Sequence, residues 1–129
     1  MATELTILAL NGVLIIVVIL IETALSITQL GDTYMRSPRD EKRDKAGMAG
    51  RAERAVINCA IGMALFAPAI LILAVSNGFT GSSAAAAWVY LIARVIYVIV
   101  YILGVPTVRT LAFVAGLLAT LWLYAMVLF

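Results

Sequence analysis

The sequence predicts an all-α membrane protein, a bundle of four transmembrane helices in one domain, and three observations predict it. Of the 129 residues, 64% are hydrophobic and only 12% charged, whereas soluble domains carry charge on about a quarter of their residues. Four apolar runs are each long enough, at about 1.5 Å per residue, to cross a hydrocarbon layer of about 30 Å. Seven of the nine Lys and Arg residues lie between Arg36 and Arg54, which is an arrangement by side rather than by total.

The first span is expected over residues 4–30. Leu5 to Ile21 is an apolar run without a charge, Glu22 follows, and the run stays largely apolar to Leu30. A cleaved signal segment needs basic residues ahead of its apolar stretch, and only the acidic Glu4 precedes Leu5, so this reads as a retained helix. Residues 31–50 are dense in Asp, Arg, Lys and Gly with Pro38 among them, and such a segment stays out of hydrocarbon. The second span is expected over 52–75, because Ala55 to Val75 carries no charge and Ser76-Asn77-Gly78 then makes a helix-ending turn. The third is expected over 83–104, apolar except for Arg94, with Trp88 and Tyr90 suiting an interfacial start. Gly104-Val105-Pro106-Thr107 breaks it, and the fourth is expected over 108–129.

Sidedness follows from the loops. The first and third connections hold Arg36 to Arg54 and Arg109, while the ends of the chain and the second connection hold no Lys or Arg. The positive-inside bias therefore predicts cytoplasmic first and third loops and outward-facing termini, with membrane lipid as the surrounding partner.

Composition also excludes chemistry. The chain has no His, which removes the usual general base and the commonest metal ligand. No zinc spacing, phosphate-binding glycine loop or dinucleotide fingerprint occurs, so neither a metal nor a nucleotide cofactor is expected, and nothing suggests a nucleic-acid partner. The single Cys59 rules out an intramolecular disulfide and reads as a small buried apolar side chain.

What remains is polar groups placed where they are costly. An Arg inside a span costs at least about 2.5–3.5 kcal/mol on insertion scales, so Arg94 should meet a partner or a wet cavity. Counted from the loop ends of their helices, Glu22 and Arg94 lie at similar depths of roughly 12–15 Å, and they are expected to pair, within or between subunits. Tyr90, Arg94, Tyr97 and Tyr101 recur at helical spacing on one face of the third span, and Arg51, Arg54 and Asn58 do so at the start of the second. Two facing stripes would form an anion-binding cleft, since guanidinium forks match carboxylates. A plainer reading stands beside this: arginines anchoring headgroups, Asn58 bonding a neighbouring helix and tyrosines in an interfacial belt.

These stripes resemble a known family, the membrane-associated proteins in eicosanoid and glutathione metabolism (MAPEG), over most of the chain. Arg51-Ala-Glu-Arg54-Ala-Val-Ile-Asn58-Cys59, with Phe66-Ala67-Pro68 beyond it, is similar to the family's Arg-x-x-Arg-Ala-x-x-Asn signature. Tyr90-Leu-Ile-Ala-Arg94-Val-Ile-Tyr97-Val-Ile-Val-Tyr101 resembles the third-helix signature, and Pro106-Thr-Val-Arg109 the Pro-x-x-Arg that follows; Arg36-Ser37-Pro38 is a weaker similarity. The resemblance implies a left-handed four-helix bundle, a homotrimer in a bacterial inner membrane, and glutathione as co-substrate in a cytoplasm-facing site between subunits. It implies that Arg51, Arg54, Asn58, Arg94, Tyr97 and Tyr101 grip the peptide, and that Arg109, supported by Tyr97, stabilises its thiolate. The activity implied is that of a glutathione transferase or peroxidase acting on a hydrophobic electrophile or lipid hydroperoxide.

One position departs from the family. Its Asn-x-x-Glu carries a carboxylate three residues after the Asn, and here that residue is Ile61, which cannot hold an ammonium group. Another acid such as Glu22 serves instead, or the ligand is not ordinary glutathione, or the chain is a non-catalytic lipid-binding or scaffold member. A further alternative is a small multidrug exporter, whose first of four helices also carries an embedded Glu; Arg94 and the basic loop weigh against it.

Overall fold

The computed structural model describes all of residues 1–129 and is helical throughout. The elements are α1 (Thr3–Leu30), a short α2 (Asp32–Arg36), α3 (Gly47–Val75), α4 (Gly81–Leu103) and α5 (Pro106–Leu128). α1, α3, α4 and α5 are long and apolar enough to cross a membrane. Both chain ends and the 76–80 turn lie at one end of the bundle, the termini end; residues 31–46 and the α4–α5 break lie at the other, the loop end.

Local chemistry sets each boundary. Gly31 ends α1 at φ 92°, a conformation open to glycine and costly for other residues. α3 begins at Gly47 rather than near residue 52, because the small Ala49 and Gly50 are buried there and Gly50 N–H donates to Ala46 O at 3.3 Å. Thr80 caps α4 through a reciprocal box with Ser83. Gly104 closes α4 in the left-handed region, with Val105 N–H donating to Val100 O. Pro106 starts α5 at the first helical position, where its missing N–H costs nothing.

The packing gives two cores. Toward the termini end, Ile7, Phe66, Ile70, Leu73 and Leu123 surround Tyr90. Tyr90 is only 2% exposed and lies flat against Phe66, with ring centroids 4.0 Å apart and planes 4° apart. It is a core residue and not the interfacial one its neighbour Trp88 suggested; Trp88, one helical half-turn away, is exposed. Toward the loop end the core is made of smaller residues, Ala52, Ala55, Cys59 and Ala112 with Val18 and Tyr97, and these let the helices carrying the arginines approach closely. Large apolar side chains such as Ile16, Leu20, Ile57, Ile61, Leu111 and Leu121 point outward, as they should where the surrounding medium is lipid.

Candidate functional site

The site is built where α3 begins and α4 gives way to α5. Arg51 and Arg54 are one turn apart on α3, and the Gly104 reversal brings Arg109 back beside Tyr101 of α4. Arg54 Nε donates to Tyr101 Oη at 3.0 Å, and the Arg54 and Arg109 guanidiniums lie 5.9 and 5.0 Å from the Tyr101 ring centroid. Arg51 Nε donates to Ile102 O at 2.9 Å, which satisfies a carbonyl left open at the end of α4. Arg51, Arg54, Tyr101 and Arg109 line one hollow of about 230 Å³ together with Gly104, Val105 and Pro106. An adjoining hollow of about 270 Å³ shares Tyr101 and Arg109 and adds Tyr97, Thr110 and Phe113.

Asn58 and Arg94 are held apart from this recess. Arg94 is 6% exposed and its Nη1 donates to Asn58 Oδ1 at 2.5 Å. Its guanidinium sits between the rings of Tyr90 and Tyr97, at 5.5 and 5.2 Å, contacts that favour a desolvated cation. Its Nε has no hydrogen-bond partner. Tyr97 links the two places, because its ring stands 5.3 Å from that of Tyr101.

The expected Glu22–Arg94 pair is not made within the chain. Glu22 accepts instead from Ser26 Oγ at 2.7 Å and from the Lys45 ammonium, and Lys45 also reaches Glu53 at 3.7 Å. Residue counts put Glu22 and Arg94 level, but the Arg94 guanidinium shares its surroundings with Asn11, Leu14 and Ile15 of α1, two to three turns from Glu22, because a long side chain reaches beyond its own Cα. Arg94 faces α3, and the long stem of Lys45 carries its charge along α1 to Glu22.

Gly62 is a site residue that sequence reading missed. A Cβ there would stand 2.5 Å from Arg94 Nη2 and 2.7 Å from Tyr90 Oη, so any larger residue would push the guanidinium and the phenol out of their present positions. The available signal was a glycine inside an uncharged span one turn beyond Asn58, facing the helix that carries the only buried Arg.

The electrostatic outcome is an imbalance. The salt bridges in the chain are Arg36–Asp32, Arg43–Glu41, Lys45–Glu22 and Lys45–Glu53. Arg51, Arg54, Arg94 and Arg109 take no carboxylate at all. The chain holds no cluster of side chains that could ligate a metal ion.

With this geometry in place, the comparison with known families is specific. The MAPEG family model matches residues 5–129. The chain belongs to the MAPEG family. The match runs over all four long helices of this MAPEG chain and includes every residue of the recess. No curated protein matches it.

Proposed function

We propose that this MAPEG chain is a membrane-embedded glutathione transferase or peroxidase. In this reading it binds the anionic thiol in the loop-end recess, open to the cytoplasm, and acts on a hydrophobic electrophile or lipid hydroperoxide that arrives from the bilayer. One observation carries it: three guanidiniums that no carboxylate of the chain neutralises converge on one recess around Tyr101. Charge of that kind at a membrane edge calls for an external anion, and a peptide with two carboxylates and a thiolate supplies it.

The chemistry needs little from the protein. Arg109 lies on the recess wall beside Tyr97, where a positive charge favours the thiolate over the thiol, and the thiolate is the nucleophile. In conjugation the sulfur forms a bond to the electrophilic carbon, and the leaving group departs with its electron pair. In peroxide reduction two thiols become a disulfide and the hydroperoxide becomes an alcohol and water. The ligand brings the nucleophile, so the absence of His is no obstacle.

A homotrimer in a bacterial inner membrane, with both termini outside, completes the proposal. The Ile57, Ile61 and Leu65 face of α3 is exposed in a single protomer and offers a surface for a neighbouring subunit. A second reading, a non-catalytic lipid-binding or scaffold member, draws on Ile61 in place of the family carboxylate. The exporter reading loses ground, because Lys45 and Ser26 occupy Glu22.

The test is turnover of a chromogenic electrophile with glutathione by the purified oligomer. The expected result is a rate well above background that falls at least about tenfold in Arg109→Ala. A background rate from an intact oligomer would refute catalysis and leave the scaffold reading.

A further inference from the structure

The recess has no carboxylate of the chain with which to hold an added positive charge. Its walls present guanidiniums, phenols, one hydroxyl and apolar groups, and no carboxylate lines either hollow. The nearest acid along α3, Glu53, is engaged by Lys45. The hydroxyl of Thr110 donates to Pro106 O at 3.2 Å, and Tyr101 Oη already accepts from Arg54. Ile61 offers no substitute: it is 57% exposed, while the adjacent Gly62 is the residue that faces Arg94.

A second feature adds positive potential at the same place. α5 is 23 residues long, opens at Val105 and Pro106 on the wall of the hollow, and has no side-chain cap. The positive end of its dipole therefore opens on the hollow that the three guanidiniums line. A cation placed there meets three like charges and no carboxylate of the chain.

We infer that the recess selects ligands by two or more anionic groups and gives no hold to an ammonium group, so a ligand lacking that group binds as well as glutathione or better. This rests on the proposed thiol-peptide reading for its choice of first ligand, but the charge selection applies to any polyanion. Peptide carboxylates and the phosphate headgroup of an anionic lipid share this chemistry.

The experiment is titration calorimetry on the full-length oligomer in a nonionic detergent with four probes. Two are glutathione and its deaminated analogue glutaryl-cysteinylglycine. The others are dihexanoyl phosphatidic acid and dihexanoyl phosphatidylethanolamine. The expected result is that the deaminated peptide binds within about twofold of glutathione or more tightly, with both weakened at least about tenfold in Arg54→Ala. Glutathione binding about tenfold more tightly than the deaminated peptide would overturn the inference while leaving the thiol reading intact. If neither peptide binds, the thiol reading fails and the lipids decide. Phosphatidic acid favoured about tenfold over the ethanolamine lipid, and lost in Arg54→Ala, would sustain the charge selection. Equal or absent lipid binding would then overturn it.

Discussion

Two charged clusters stand at the loop end of the bundle, and they differ in whether the chain neutralises them. Around Lys45, one ammonium sits between Glu22 of α1 and Glu53 of α3, with Ser26 completing the shell of Glu22. Beside it the Gln29 amide takes both the N–H and the C=O of Ala46, each at 2.9 Å. This cluster is closed, and it ties the first loop down to two helices. Around Tyr101, Arg51, Arg54 and Arg109 have no acid between them. The contrast teaches that basic residues at the same end of the bundle meet different fates: the first cluster is neutralised within the chain, and the second keeps its guanidiniums without a carboxylate.

The sharpest way to break that contrast is to remove the centre of the closed cluster. Lys45 and Glu22 side chains are only 13% and 14% exposed, and stripping one partner from a largely buried pair leaves a stranded charge. Lys45→Ala is expected to destabilise by roughly 3 kcal/mol, and Lys45→Met with Glu22→Gln to recover most of it, measured by thermal unfolding in detergent. If the single variant unfolded like the parent, the cluster would have no structural role.

In the open cluster the expectation reverses. Arg54→Ala should change stability by no more than about 0.5 kcal/mol. It should weaken anion binding by about 1.5–3 kcal/mol, the range for a hydrogen bond to a charged group, as read by calorimetry. A loss of stability equal to that of Lys45→Ala would erase the distinction between the clusters.

Between them lies the buried Arg94, whose seat depends on Gly62. Gly62→Ala is expected to cost about 1–3 kcal/mol through overpacking, whereas Gly12→Ala, where an added Cβ would meet nothing within 4 Å, should be neutral or slightly stabilising. Comparing the two unfolding midpoints checks this directly. Equal midpoints would mean that the guanidinium is not held where α3 and α4 place it.

The smallest effect is expected at the loop surface. The Arg43–Glu41 pair is 3.2 Å long with side chains 44% and 72% exposed, so Glu41→Ala should change stability by less than about 1 kcal/mol and the anion affinity not at all. A large effect there would show that the first loop takes part in the open cluster.

Much of this was legible in one dimension. Span number, approximate span ends and the grouping of basic residues follow from apolar run length and charge position, because bilayer thickness and helix rise convert residue counts into depth. The helical spacing of Tyr90, Arg94, Tyr97 and Tyr101 likewise puts them on one side of α4, where three of the four are buried.

What counting could not give is rotation about each helix and the identity of neighbours. Glu22 and Arg94 are level by residue count, yet Glu22 meets Lys45 while Arg94 meets Asn58 beside Asn11, Leu14 and Ile15 of α1. Tyr90 carries the residue type of an interfacial belt yet stacks in the core on Phe66. Arg51, Arg54 and Arg109 come together only because Gly104 turns the chain back, while Arg94 stays behind in the space Gly62 leaves. The sequence by itself determined the number of spans and which connections carry the basic residues, because both depend only on position along the chain. Only the tertiary structure decided which charges meet, because that depends on how side chains from separate helices fill the space between them.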